Sequence, residues 1–126
     1  MGWNDFSLPA TGEVHSNGDG TCRQCELARC RPGDQLRLVR EPKNIHDRNA
    51  IAIVTEHGVR VGYLGRRYSM VWASKLDRGA EPKVIVERIK GSTLSGAMLG
   101  LVIRVNTEGE EPELPIDPDR IVRRVA

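Results

Sequence analysis

Between two strand-like runs, Leu36–Val39 and Ala50–Val54, lies the segment Arg40-Glu41-Pro42-Lys43-Asn44-Ile45-His46-Asp47-Arg48-Asn49. It crowds both charge signs, an imidazole and two amides into a connection where a hairpin ordinarily needs roughly two to five residues. Two kinds of chemistry suit these types. Asn44 and Asp47 can turn the chain by hydrogen-bonding its own backbone, with Pro42 fixing a bend. They can also read a ligand. A carboxylate accepts a hydrogen bond from a terminal hydroxyl but repels an internal phosphodiester, so one aspartate among arginines can select the end of a strand. Arg40, Arg48, Arg60, Arg66 and Arg67 are the candidate phosphate contacts, because guanidinium grips oxygens bidentately. Taken singly, each is equally a solvated surface charge. Arg66 and Arg67 also open a helical pattern, whose first N–H groups face any anion placed there.

A second constellation joins His15 to Cys22-x-x-Cys25 and Cys30. Four such ligands suffice for tetrahedral zinc, but a matching second Cys-x-x-Cys pair is missing and Cys30 is oddly spaced. Core thiols or a redox pair account for the cysteines as well. The favoured expectation is therefore no cofactor, with zinc as the lesser alternative. The odd cysteine count argues against a secreted disulfide scaffold and for a reducing cytosol.

Enzymatic signatures are missing. There is no Walker loop, dinucleotide fingerprint, Gly-x-Ser-x-Gly or His-Glu-x-x-His. Metal-dependent nucleases need several converging carboxylates, and the 40–51 loop offers only Glu41 and Asp47. The reading is a binding protein, not an enzyme.

The elements that must position these residues are short. Pro9 to His15 reads as a first strand, and Ser16–Gly20 as a turn cluster. A short helix capped by Asp19 or Thr21 runs to about Arg29, stopped by Pro32-Gly33. Leu36 and Leu38 alternate with polar neighbours, as in a half-buried strand; Ala50–Val54 is an apolar, buried strand. Val59–Leu64 is its antiparallel partner, with Tyr63 on the face of Val59 and Val61. Gly62 invites close approach by a ligand or another backbone. Arg66 to Arg78 forms the main helix, with an apolar stripe of Tyr68, Val71, Trp72 and Leu76 and a left-handed stop at Gly79. Lys83–Ile89 and Met98–Val105 are the last strands, joined through the small polar link Gly91–Gly96. The expected fold is mainly β with one or two helices: a small six-stranded OB-like β-barrel capped by a helix, since closure removes exposed edges. Residues 1–8 are a lead-in, 9–106 the barrel domain, and 107–126 an acidic, proline-rich tail, although Ile121, Val122 and Val125 could dock on the barrel.

The 126 residues suit one domain. The net charge of +2 hides an asymmetry: the tail carries six acidic residues and three arginines, so residues 1–106 carry +5. That basic balance suits phosphate-bearing partners or simply a soluble surface. No apolar run is long enough to span a bilayer, and the N-terminus does not read as a signal peptide, so the expected location is the cytoplasm, nucleoid-associated in a bacterium.

The wording Arg40-Glu41-Pro42-x-Asn44-x-x-Asp47-x-Asn49-Ala50-Ile51, followed by Gly58-x-x-Val61-Gly62-Tyr63-Leu64, resembles the HIRAN domain over about residues 9–106. This is a small β-barrel module found at the N-terminus of Snf-type DNA translocases and as free-standing bacterial proteins. The resemblance implies a barrel that binds the 3′ end of single-stranded DNA without cutting it, at stalled forks or damaged ends. It places Asn44 and Asp47 on the terminal nucleotide, with Asp47 near the 3′ hydroxyl. Two aromatic positions of the family hold His46 and His15 here, which gives less stacking surface and adds pH sensitivity. Tyr63 would supply a further flat contact. The implied partners are single-stranded DNA and a helicase or nuclease on a separate polypeptide, with no membrane. The alternatives are a protein-interaction or small-ligand barrel that has lost DNA binding, and a zinc-stabilised adaptor.

Overall fold

A computed structural model describes residues 4–91 and 98–115. Six strands form a closed antiparallel barrel: β1 (Asp5–Thr11), β2 (Gln35–Arg40), β3 (Ile51–Thr55), β4 (Arg60–Leu64), β5 (Lys83–Lys90) and β6 (Gly100–Asn106), in the order β1-β4-β3-β2-β5-β6. Helix α1 (Arg23–Leu27) lies between β1 and β2, and α2 (Arg66–Asp77) between β4 and β5. The expected six-stranded barrel with helical caps is the fold observed.

Alternation builds the core. Leu8 and Ala10 of β1, Leu36 of β2, Ile51 and Ile53 of β3, Val84 and Val86 of β5 and Leu101, Ile103 and Val105 of β6 point inward. Each valine, leucine or isoleucine among them contributes about 1.5–3 kcal/mol by leaving water. Exposed ion pairs such as Lys83–Glu111 contribute about 0–1 kcal/mol, so apolar burial and not surface charge holds the barrel.

The first strand starts earlier than its sequence reads. It runs Asp5–Thr11, not Pro9–His15, and pairs with β6 from Asp5↔Asn106 to Pro9↔Val102. Phe6, Leu8 and Ala10 already carried the two-residue period, but Pro9 masked it. The proline is tolerated because β1 meets β4 only at Ala10 and Thr11, leaving its missing N–H without consequence. Residues 5–8 are thus barrel, not lead-in. At the far end, residues 107–115 lie against the barrel: Pro112 is buried, and the Glu113 N–H donates to Asp5 Oδ2 at 2.8 Å. The 92–96 part of the expected link, and Ile121, Val122 and Val125, fall outside the described residues.

A bulge in β4 matters for the site. Ile53 pairs with Gly62 and Val54 with Arg60, so Val61 is an extra residue in the ladder. Val61 and Leu64 both belong to the core, while Arg60 and Tyr63 come to the outer face together. The expectation that Tyr63 shares a face with Val61 is corrected by this extra residue. Helix α2 also turns differently from its expected stripe. Ser69 and Ala73 are its buried residues, flanked by the partly buried Tyr68, Trp72 and Leu76, while Val71 is 54% exposed. Two small residues let the helix approach closely, and that rotates Val71 outward. Gly79 ends α2 at φ +96°, as expected.

Gly62 admits a backbone, not a ligand. A Cβ there would lie 2.9 Å from the Thr11 carbonyl oxygen of β1. Gly62→Ala is therefore expected to destabilise the barrel by about 1–3 kcal/mol through forced separation of β1 and β4. Urea denaturation reads this as a lower midpoint with an unchanged slope.

Candidate nucleic-acid interface

The loop between β2 and β3 is tightly built from its own side chains. Asn44 Oδ1 accepts the N–H groups of His46 at 2.9 Å and Asp47 at 3.3 Å. Asp47 Oδ1 accepts the Asn49 N–H at 2.9 Å, and the Ala50 N–H bonds the Asp47 carbonyl at 3.1 Å. These are the turn-forming bonds expected of Asn and Asp. Asp47 Oδ2 has no partner among the described residues, so it remains available as an acceptor.

Glu41 ties this loop to the barrel. Its carboxylate accepts the Tyr63 hydroxyl at 2.7 Å, Arg60 Nη1 at 2.6 Å and Asn44 Nδ2 at 3.1 Å. Burial pushes the Glu41 carboxyl up, but the bonds from Tyr63, Arg60 and Asn44 and the charge of Arg60 outweigh it and hold it below its ordinary value. The same contacts work on Tyr63: burial first, then the bond and charge of Glu41, push its phenol up. Arg23 and Arg60 lie over the Tyr63 ring, at 5.4 and 5.7 Å from its centroid.

A cleft opens beside this network. Thr11, Gly12 and His15 come from the end of β1, Asn44, His46, Asp47 and Ala50 from the loop, and Tyr63, Leu64 and Arg66 from β4 and the start of α2; Arg23 of α1 completes it. Six of the ten expected site residues therefore converge: His15, Asn44, His46, Asp47, Tyr63 and Arg66. Arg66 Nη2 donates to the His46 carbonyl at 3.2 Å, joining helix to loop. Gly65 caps α2 without any side-chain hydrogen bond, and no acidic residue sits in the first turn. The helix thus presents its positive end beside the cleft.

The other four expected residues lie outside it. Arg40 grips Asp77 through Nε (3.0 Å) and Nη2 (3.3 Å) and donates from Nη1 to the carbonyls of Arg48 and Ala50. Arg60 is engaged by Glu41 and by Asn17 Oδ1 at 3.1 Å. Both side chains are engaged within the protein, Arg40 between the loop and the end of α2 and Arg60 between β4 and Glu41. Arg48 and Arg67 are exposed and make no side-chain bond among the described residues. The sequence reading missed Arg23 and Glu41. Glu41 lay within the quoted motif, and its place between a turn and a strand was the available signal; a five-residue helix gave none for Arg23.

The zinc candidates do not gather. Cys22 and Cys25 are disulfide-bonded to each other and exposed. Cys30 packs against the core, and burial, with smaller effects from Glu26 and Asp34, pushes its thiol up to about 11. His15 lines the cleft. Among the described residues no group of three or more His, Cys, Asp and Glu side chains is placed to hold a metal ion. Of the three cysteines, only Cys30 is a core thiol. Among the same residues no helix is long and apolar enough to cross a membrane.

A carboxyl held low in the folded state stabilises the fold above its unfolded value and loses that contribution as pH falls through the folded one. For Glu41 the window lies below about 4.5. Glu41→Gln is expected to cost about 1–3 kcal/mol at neutral pH by leaving Arg60 without its charge partner. It should also flatten the acid limb of a stability profile recorded between pH 6 and pH 3, a range set around the ordinary carboxylate value. An acid limb identical to the parent's would remove Glu41 from the balance.

The profile of the HIRAN domain matches residues 11–106. Two crystal structures share the fold. A protein from Lactobacillus plantarum superposes with a TM-score of 0.57 at 22% identity, covering 81% of this chain and 98% of its own. The HIRAN domain of human HLTF superposes with a TM-score of 0.59 at 17% identity, covering 81% of this chain and 73% of its own. No curated protein sequence matches the chain. At these identities the two structures bear on the fold alone. The profile runs from the last residue of β1 to the last of β6, and on that match the chain belongs to the HIRAN domain family, a family of DNA-binding modules.

Proposed function

We propose that this protein binds single-stranded DNA at its 3′-hydroxyl end, without cutting it, and so serves DNA repair or the processing of stalled forks. The observation that carries this reading is Asp47 Oδ2, a carboxylate oxygen without a partner among the described residues, in a cleft whose other charged or ionisable lining residues include Arg23, Arg66, His15 and His46. A terminal hydroxyl can donate to that oxygen, whereas a phosphate in the same place is repelled. Arg66 and the open N-terminus of α2 would take the backbone phosphate, with Arg48 and Arg67 attracting the strand from farther out. His46 and His15 supply flat polar surface for the terminal base. A helicase or nuclease is the partner class that such end recognition would serve.

A second reading has its own observation. Ile45 of the loop, 91% exposed, and Met70 and Val71, exposed on α2, are apolar surface that a protein partner could cover.

The structure selects the variant. Asp47→Ala would also delete the Oδ1 bond to Asn49 and disturb the loop. Asp47→Asn keeps that bond and replaces the free acceptor with a donor. Fluorescence anisotropy should show the parent protein preferring a 3′-hydroxyl strand over a 3′-phosphate strand by about tenfold. Asp47→Asn should erase or reverse that preference. Equal affinity of the parent for both strands would mean a nonspecific basic surface, and no binding to either would favour the protein-interaction reading.

A further inference from the structure

Arg23 is only 6% exposed, yet among the described residues no carboxylate pairs with it. Its Nε donates to Asn17 Oδ1 at 2.6 Å and its Nη1 to the Gly12 carbonyl at 2.6 Å, both neutral acceptors. Its guanidinium lies over Tyr63. The companion cation on that ring, Arg60, has Glu41. Two guanidiniums thus share one ring and one carboxylate, and the carboxylate belongs to Arg60. A guanidinium withdrawn from water without a counter-charge is costly, and folds ordinarily pair it. Here Nη2 has no hydrogen-bond partner among the described residues, and the residue lines the cleft.

Gly12 packs beside Arg23 at φ +77°, where a Cβ would make ordinary contacts with Nη1 (3.5 Å), Tyr63 Cδ2 (3.6 Å) and His15 Cδ2 (3.8 Å), so the backbone conformation and not crowding calls for glycine. The two short bonds hold the guanidinium plane in one orientation before any ligand arrives. An anion meeting its outward edge finds charge-assisted donors already fixed, the arrangement in which arginine binds phosphate best.

We propose that Arg23 is a built phosphate subsite at the floor of the cleft, and that it takes the phosphodiester linkage next to the terminal nucleotide. The subsite stands on the unpaired charge of Arg23; the source of the phosphate rests on the DNA reading. A ligand that satisfies this cleft brings a hydroxyl donor to Asp47 and an anion to Arg23. A strand's 3′ end carries both groups one nucleotide apart.

The test uses the unaltered protein and strands in which one linkage at a time is a neutral methylphosphonate. Neutralising the linkage nearest the 3′ end should weaken binding about tenfold, and neutralising distant linkages should change it far less. Arg23→Lys keeps the charge but loses the fork. It should bind about tenfold more weakly and distinguish the terminal methylphosphonate less sharply than the parent. Equal losses at every linkage, or an Arg23→Lys variant with the parent's profile, would overturn the subsite. If the unmodified strand does not bind at all, the DNA reading falls, and inorganic phosphate then decides the subsite. A saturable shift of the Arg23 Nε–H resonance supports it; an unmoved resonance overturns it.

Discussion

The site depends on one carboxylate. Glu41 sits at the junction of β2 and the long loop and receives three donors from three places: Asn44 of the loop, Arg60 at the start of β4 and Tyr63 near its end. Removing Glu41 from water is unfavourable, and a lone donor would not offset that. Three hydrogen bonds, one with a full positive charge, do. Their geometry in turn needs the extra residue at Val61, which brings Arg60 and Tyr63 to one face of β4. A regular ladder would have sent one of the two elsewhere. The bulge thus belongs to the site as much as to the barrel, a common use of such irregularities.

The same side chains build the loop and line the cleft, but with different atoms. Asp47 spends Oδ1 on the loop and keeps Oδ2. Asn44 spends Oδ1 twice and gives Nδ2 to Glu41, which leaves it at most one amide hydrogen for a ligand. On the proposed reading Asp47 therefore discriminates and Asn44 chiefly positions it. The choice between a turn and a contact, open for these residues in the sequence, does not need to be made for Asp47. The arginines divide more sharply. Arg40 locks the loop to the end of α2 through Asp77, and Arg60 locks β4 to Glu41, while Arg66 and Arg23 face the cleft.

The barrel was legible because strand patterns are local signals: alternation in β2 and an unbroken apolar run in β3 each announced themselves within five or six residues. The start of β1 was hidden by a proline that only the short β1–β4 junction makes harmless. Val71 was misplaced because the small Ser69 and Ala73, not the largest apolar residues, set which face of α2 is buried. The convergence of His15 with the loop and Tyr63 followed from the family resemblance, while the structural roles of Arg40 and Arg60 did not. Arg40 meets Asp77 from 37 residues away, and Arg60 meets Asn17 from 43. No spacing rule reaches that far. Arg23 was the least legible, since a buried arginine inside a short polar helix leaves no periodic trace.

The aromatic content of the cleft limits how it can hold a strand. Tyr63 is its one aromatic carbon ring, and that ring has its hydroxyl bound to Glu41 and two guanidiniums over it. It is a structural post more than a stacking platform. Base stacking contributes about 1–3 kcal/mol per base where an open aromatic face exists. Here the open flat surfaces are imidazoles, with Ile45 as apolar surface at the loop tip. Affinity in this member of the family must then lean on charge and on directed hydrogen bonds. Charge attracts any strand, and salt screens it. On the proposed reading, a single unused carboxylate oxygen separates an end from the rest of the strand. Stacking would have tied affinity to the terminal base; on the proposed reading, a cleft built on a fixed guanidinium and a free carboxylate oxygen would tie it instead to the chemistry of the terminus.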